Sequence, residues 1–156
     1  MHIKDKRVLV CNCARDKALD PKKLTRALQA VGAEGEAELF TDLCRTQLES
    51  FQSAVRHDRD VLVTCTQEEP LFREVAAEDD PEAGLAFANL REKALWSHEA
   101  KQAHPKMAAL VAEAALDLEP TPTVAMESAG TCLIYGRDET AIELARQLSD
   151  KLDVTV

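Results

Sequence analysis

Short apolar runs alternate with amphipathic helical stretches along the first ninety residues, and this alternation restricts the fold more than any other feature of the chain. Arg7 to Val10, Ala37 to Phe40 and Val61 to Val63 read as buried strands, and Leu85 to Leu90 as a fourth. Asp20-Pro21 opens a helix, with aspartate as N-cap and proline at the first helical position. Leu24, Ala27, Leu28 and Val31 share one face of it, and Gly32 stops it. Thr46 with Glu49 makes a capping box ahead of Leu48, Phe51 and Val55. Leu71, Phe72, Val75 and Ala76 line the helix after the third strand. Strands and helices in this order predict an α/β fold: a three-layer, Rossmann-like parallel sheet with helices on both faces.

Further along, Glu78 to Glu82 reads as a solvated acidic loop, and Arg91 to Leu118 as helix interrupted at Pro105. Pro120-Thr121-Pro122 is a stiff connector, so the expected organisation is one domain over 1–119 and a smaller piece over 120–156. In that piece Cys132 to Tyr135 reads as a strand, and Glu139 to Leu148 as a helix with Ala141, Leu144, Ala145 and Leu148 inward. Val154 to Val156 begins another strand, and ending there reads as a fragment of a longer protein with an incomplete βαβ unit.

A chain of 156 residues can bury a real core. Its 28 acidic and 19 basic residues leave a net charge of −9, which repels phosphate backbones and argues against nucleic acid as a partner. No apolar run approaches the ~18 residues of a membrane span, and the N-terminus lacks an apolar leader. The expected compartment is the cytoplasm, where thiols stay reduced and neighbouring cysteines point to metal or redox chemistry. No Ser-His-Asp, paired-carboxylate or phosphate-loop pattern supports hydrolysis or phosphoryl transfer.

Cys11, Cys13, Cys44 and Cys65 each lie just past one of the apolar runs. In an α/β sheet the carboxyl ends of parallel strands share one edge, and ligands bind in the crevice there. These distant thiols therefore converge if the fold is as predicted. Thiolates favour iron–sulfur clusters, zinc or copper(I). Spacing alone also allows some of them to be small core residues. Cys132, inside an apolar strand, reads as core. Trp96 is expected in the core or an interface, and His98 at the surface or as a cap. Asp20, Glu68 and Glu69 read as caps, and His104-Pro105 as a helix boundary. Arg91 either faces the cysteine crevice as a cationic donor or pairs with Glu92 at a helix start.

The segments Cys11-Asn12-Cys13, Leu43-Cys44, Thr64-Cys65-Thr66 and Glu69-Pro70-Leu71-Phe72-Arg73 occur in that order, followed by Ala88-Asn89-Leu90-Arg91-Glu92 and Trp96-Ser97-His98. Together, over residues 7–115, they resemble the N-terminal region of the heterodisulfide reductase A-like oxidoreductases. In that family the domain precedes a flavin-binding domain of thioredoxin-reductase type and carries cysteines associated with a [4Fe–4S] cluster. The resemblance implies Cys11, Cys13, Cys44 and Cys65 as the cluster's ligands. It further implies an iron–sulfur electron-transfer module, a non-catalytic domain of a multidomain oxidoreductase. Its partners would be other redox subunits, the flavin domain or a second copy of the chain. Ala14 stands where the family has glycine, and Arg45-Thr46-Gln47 where it has a proline-glycine element. Two rivals stand beside this reading: a cluster-free interaction domain that keeps the fold, and a zinc or thiol redox site at Cys11 and Cys13.

Cys132-Leu133-Ile134-Tyr135-Gly136 resembles the first strand and glycine turn of the family's next domain. A working dinucleotide turn lets pyrophosphate approach backbone amides through its glycines. Here Gly136-Arg137-Asp138-Glu139-Thr140-Ala141 has one glycine, and two carboxylates where the pyrophosphate would sit. The segment reads as a degenerate or truncated Rossmann unit that does not bind flavin alone; FAD would belong to the remainder of a longer protein.

Overall fold

The computed structural model describes residues 1–14, 19–118 and 121–156, and within it the chain divides into two units, Met1–Leu118 and Glu119–Val156. Pro120 of the expected connector lies outside the described residues, and Thr121 to Gly130 follow it as exposed, irregular chain up to a half-buried Gly130.

The first unit is a mixed sheet with helices. In chain order its elements are β1 (His2–Ile3), β2 (Lys6–Cys11), α1 (Pro21–Ala30), β3 (Ala33–Glu34), β4 (Leu39–Phe40), α2 (Leu48–Asp58), β5 (Val61–Val63), α3 (Glu69–Asp79), β6 (Leu85–Phe87) and α4 (His104–Ala114). β2 pairs in parallel with β4 and with β5, and β5 pairs in parallel with β6. The expected all-parallel sheet needs one correction. β1 runs antiparallel to both β2 and β3, so the sheet is mixed. The reason is local: β1 and β2 are joined by two residues, and Lys4 takes a left-handed φ of 50° to make the reversal.

Alternation along the strands sorts the core into two clusters. Val8 and Val10 of β2 and Leu62 of β5 join Leu24 and Leu28 of α1 and Met107 and Val111 of α4. Leu9 of β2 and Val61 and Val63 of β5 join Phe51 and Val55 of α2 and Phe72 and Val75 of α3. The strands have apolar neighbours for both sets of side chains, which is why they read as continuous apolar runs.

Asp20 caps α1 as expected: its carboxylate accepts from the Lys22 and Lys23 N–H groups at 3.0 and 3.1 Å, and Pro21 sits in the first turn. The Lys23 N–H above all, with that of Lys22, holds the Asp20 carboxyl below its ordinary range. A depressed folded pKa gives a contribution that is complete above the ordinary carboxylate pKa and lost as the pH falls through the folded value. Asp20→Asn keeps an acceptor but cannot titrate. It is expected to flatten the acid limb of the melting temperature plotted against pH, and an unaltered acid limb would speak against the cap.

Elsewhere the local chemistry departs from the sequence pattern. The Thr46–Glu49 capping box does not form. Gln47 takes the N-cap position, its Oε1 accepts from the Thr41 and Asp42 N–H groups, and Thr46 donates its hydroxyl to Asp42. Nor does Glu68 cap α3 through its side chain. Glu78 and Asp79 belong to α3 rather than to a loop, and Asp79 and Asp80 pair with Arg56 and Arg59, each at 3.0 Å. The helix expected over Arg91 to Leu118 breaks into a π-helical turn at Arg91–Leu95, a 3-10 turn at Ala100–Gln102 and α4. Pro105 opens α4, where its missing N–H is not needed.

The second unit is a βαβ piece: β7 (Thr131–Leu133), α5 (Glu139–Leu148) and β8 (Asp153–Thr155), with the two strands parallel. Ala141 of α5 is buried, but Leu144 is exposed rather than inward. A Cβ added at Gly136 would sit 2.5 Å from the Ala141 Cβ, so glycine is what lets α5 approach the segment that follows β7.

Candidate functional site

Four parallel strands deliver the site residues to one edge of the sheet. From β2 the chain moves to β4 on one side, then crosses to β5 and β6 on the other. Such a reversal opens a crevice at the carboxyl ends of the strands flanking it, here β2 and β5. Cys11 ends β2 and Cys13 follows it, Cys44 follows β4, and Cys65 follows β5. All four line a single cavity of about 390 Å³, together with Leu43, Phe72, Leu90 and Leu95 and the polar residues Asp42, Arg45, Glu68, Asn89, Arg91 and Glu92. All four are free and half-buried. Cys132, the fifth cysteine, lies in the second unit on β7 and is half-buried.

The backbone around the cavity is specialised. Cys13 and Ala14 are consecutive residues in the left-handed region, with φ of 57° and 56°. Each such L-residue costs about 1–2 kcal/mol, so the surroundings must hold them there. The Asn12 N–H donates to the Phe40 carbonyl and the Ala14 N–H to the Thr41 carbonyl, while the Cys11 N–H donates to the buried Thr64 hydroxyl at 3.2 Å. One consequence of the turn is that the Cys13 N–H donates to the Cys11 sulfur at 3.4 Å. Ala14→Gly is expected to raise stability by about 1 kcal/mol or slightly less. It relieves about 1–2 kcal/mol of left-handed strain against the ~0.4–1 kcal/mol cost of a freer unfolded chain. Urea denaturation midpoints check it, and a destabilised variant would contradict the strain.

The other sulfurs differ in their partners. Cys65 lies just before α3; burial pushes its thiol up, against a smaller downward pull from the nearby Glu68 and Gln67 N–H groups. Burial, then the neighbouring Glu68 carboxylate, pushes the Cys44 thiol up. Cys44 is in electrostatic reach of Cys65 and Cys11, and Cys65 of Cys13 and Cys11.

Arg91 lines the cysteine cavity and also pairs with Glu92, so the two alternatives are not exclusive. Its Nε lies 2.9 Å from the Glu92 carboxylate, and it lines the cavity together with Cys13, whose sulfur lies within its electrostatic reach. Asn89 positions it by accepting the Glu92 N–H at the head of the π-helical turn. Trp96 is not a core residue: it is 60% exposed, and the Arg91 guanidinium lies 4.7 Å from its ring centroid. The break in the helix at Leu95 turns the indole outward, where it covers the arginine. His98 is exposed in the turn that follows. The sequence pattern does not single out Thr64, Asn89 or the α3 amides; only their nearness to Cys65 and Arg91 hints at them.

Among the described residues, no three His, Cys, Asp or Glu side chains gather as the ligand group of a metal ion. The four sulfurs surround a cavity rather than a point. A tetrahedral zinc, with Zn–S bonds of about 2.3 Å, would need thiolates roughly 3.8 Å apart. The donor set fits a larger guest better: four soft ligands, an N–H donor on the Cys11 sulfur, the Arg91 cation in the lining, and apolar walls.

In the second unit, the Asp138 carboxylate caps α5 by accepting the Thr140 N–H at 3.1 Å. A carboxylate therefore holds the helix N-terminus where a dinucleotide phosphate would dock. No protein-family model matches the chain, and no curated protein matches it significantly. Among the described residues, no helix is long and apolar enough to cross a membrane.

Proposed function

We propose that the chain is an iron–sulfur electron-transfer module of a heterodisulfide reductase A-like oxidoreductase, with Cys11, Cys13, Cys44 and Cys65 as ligands of a [4Fe–4S] cluster. The observation that carries this reading is the meeting of these four cysteines around one cavity at the topological switch of the sheet. A bound cluster supplies reversible one-electron transfer. The protein's own part is to hold and tune. The Cys13, Gln67 and Glu68 N–H groups stabilise charge on the Cys11 and Cys65 sulfurs, and Arg91 does so on Cys13. Leu43, Phe72, Leu90 and Leu95 keep the cavity walls apolar. The two clusters of core side chains support a three-layer, Rossmann-like frame behind the site. In this reading the second unit is a degenerate Rossmann piece that holds no flavin itself, and the electron partners are a flavin domain or other redox subunits.

The reading is tested by mapping thiol protection. After anaerobic reconstitution with iron and sulfide, Cys11, Cys13, Cys44 and Cys65 are expected to resist alkylation, while Cys132 is modified as before. Equal labelling of all five would overturn the ligand set. A second reading, a cluster-free interaction domain on the same fold, draws on the lack of a compact metal-ligand group among the described residues. Equal labelling is the result it predicts.

A further inference from the structure

We propose that Arg91, clamped between the Trp96 indole and the Glu92 carboxylate, is the fixed cation that sets the electron affinity of the cysteine cavity. This rests on the cluster reading above and adds a positioning residue to it.

Arg91 follows β6, so its backbone reaches the same sheet edge as the four cysteines. Two contacts hold its head group, the indole face at 4.7 Å and the Glu92 carboxylate at 2.9 Å, and they fix it at the wall of the cavity that it lines together with Cys13. A planar guanidinium can stack, pair and donate at the same time, which an ammonium cannot. The rest of the lining is rich in negative charge, from Asp42, Glu68 and Glu92. Taking up one electron from a reduced flavin or iron–sulfur partner adds one negative charge to this cavity, with no proton required. A cation held within electrostatic reach of a ligand sulfur favours the reduced state over the oxidised one. Arg45 lines the same cavity and provides the comparison, because removing it deletes an equal charge from the segment after β4 rather than from the one after β6.

The test is a redox titration of the anaerobically reconstituted chain, followed by electron paramagnetic resonance, with iron counted in every sample. Arg91→Gln is expected to keep its iron and lower the reduced-to-oxidised ratio about tenfold at a given potential, a midpoint drop of about 59 mV for one electron. Arg91→Lys should recover part of the drop, and Arg45→Gln should shift the midpoint less. A wild-type midpoint in Arg91→Gln, or an equal drop in Arg45→Gln, overturns the role of the clamped arginine while leaving the ligand set standing. If Arg91→Gln loses its iron, Arg91→Lys carries the test, and an unmoved midpoint there overturns the proposal. Wild-type protein that takes up no iron overturns the cluster reading, and this inference with it.

Discussion

Cys44→Ser is expected to strip most of the bound iron, and the visible sulfur-to-iron absorption, from anaerobically reconstituted protein. Cys44 is the sole cysteine on the segment after β4, so no neighbouring thiol on its own loop can replace it. Its thiol is half-buried beside Glu68, an environment that disfavours a bare thiolate and suits one neutralised by a bound cation. Serine is nearly the same size, and circular dichroism should show the fold retained. Cys132→Ser, in the second unit, should leave iron content as in wild type. Unchanged iron in Cys44→Ser would remove Cys44 from the ligand set. Equal loss in Cys132→Ser would mean that iron binds thiols indiscriminately.

The largest effect on stability is expected at Phe72. Its ring is 1% exposed and lies 4.7 Å from Phe51 and 6.4 Å from Phe87, centroid to centroid, and it also lines the cysteine cavity. Truncation removes aromatic contact from α2, α3 and β6 at once. Phe72→Ala should therefore cost about 3–5 kcal/mol in urea unfolding. Domains of this kind hold only about 5–15 kcal/mol in total, so much of the margin would go. The same change opens an apolar wall of the cavity, and thiol protection after reconstitution should fall with it. A loss below about 1 kcal/mol would show that α3 does not depend on this contact.

The parts of the fold legible in the sequence are those where burial or backbone chemistry leaves a strong local mark. Val61 to Val63 is a strand with neighbours for both sets of side chains, and its apolar run is continuous. Asp20-Pro21 and Glu139 to Leu148 carry a cap, a fixed φ or an apolar stripe. β1 and β3, two residues each, are too short to show a period, which hides the antiparallel edge from a reading of the sequence. Thr46 and Glu49 have the spacing of a capping box, but Gln47 captures the local amides first. Trp96 looks like a core residue by size, yet its position is decided by where the π-helical turn ends and by Arg91 beneath it.

The site is legible to a similar depth. Cysteines after successive strands suffice to bring Cys11, Cys13, Cys44 and Cys65 to one edge, and Arg91 follows from the same logic. The left-handed turn at Cys13 and Ala14 leaves no mark in the residue types themselves; its single hint is the glycine that the resembling family has in place of Ala14. The groups that oppose the burial of Cys65 are nearby backbone amides, which every sequence contains and only the start of α3 brings close.

In the proposed function, Cys11, Cys13, Cys44 and Cys65 together hold one four-iron cluster. Iron and acid-labile sulfide, counted per chain after anaerobic reconstitution and desalting, test it most directly. About four of each per chain are expected. Iron without matching sulfide, or neither, would contradict it.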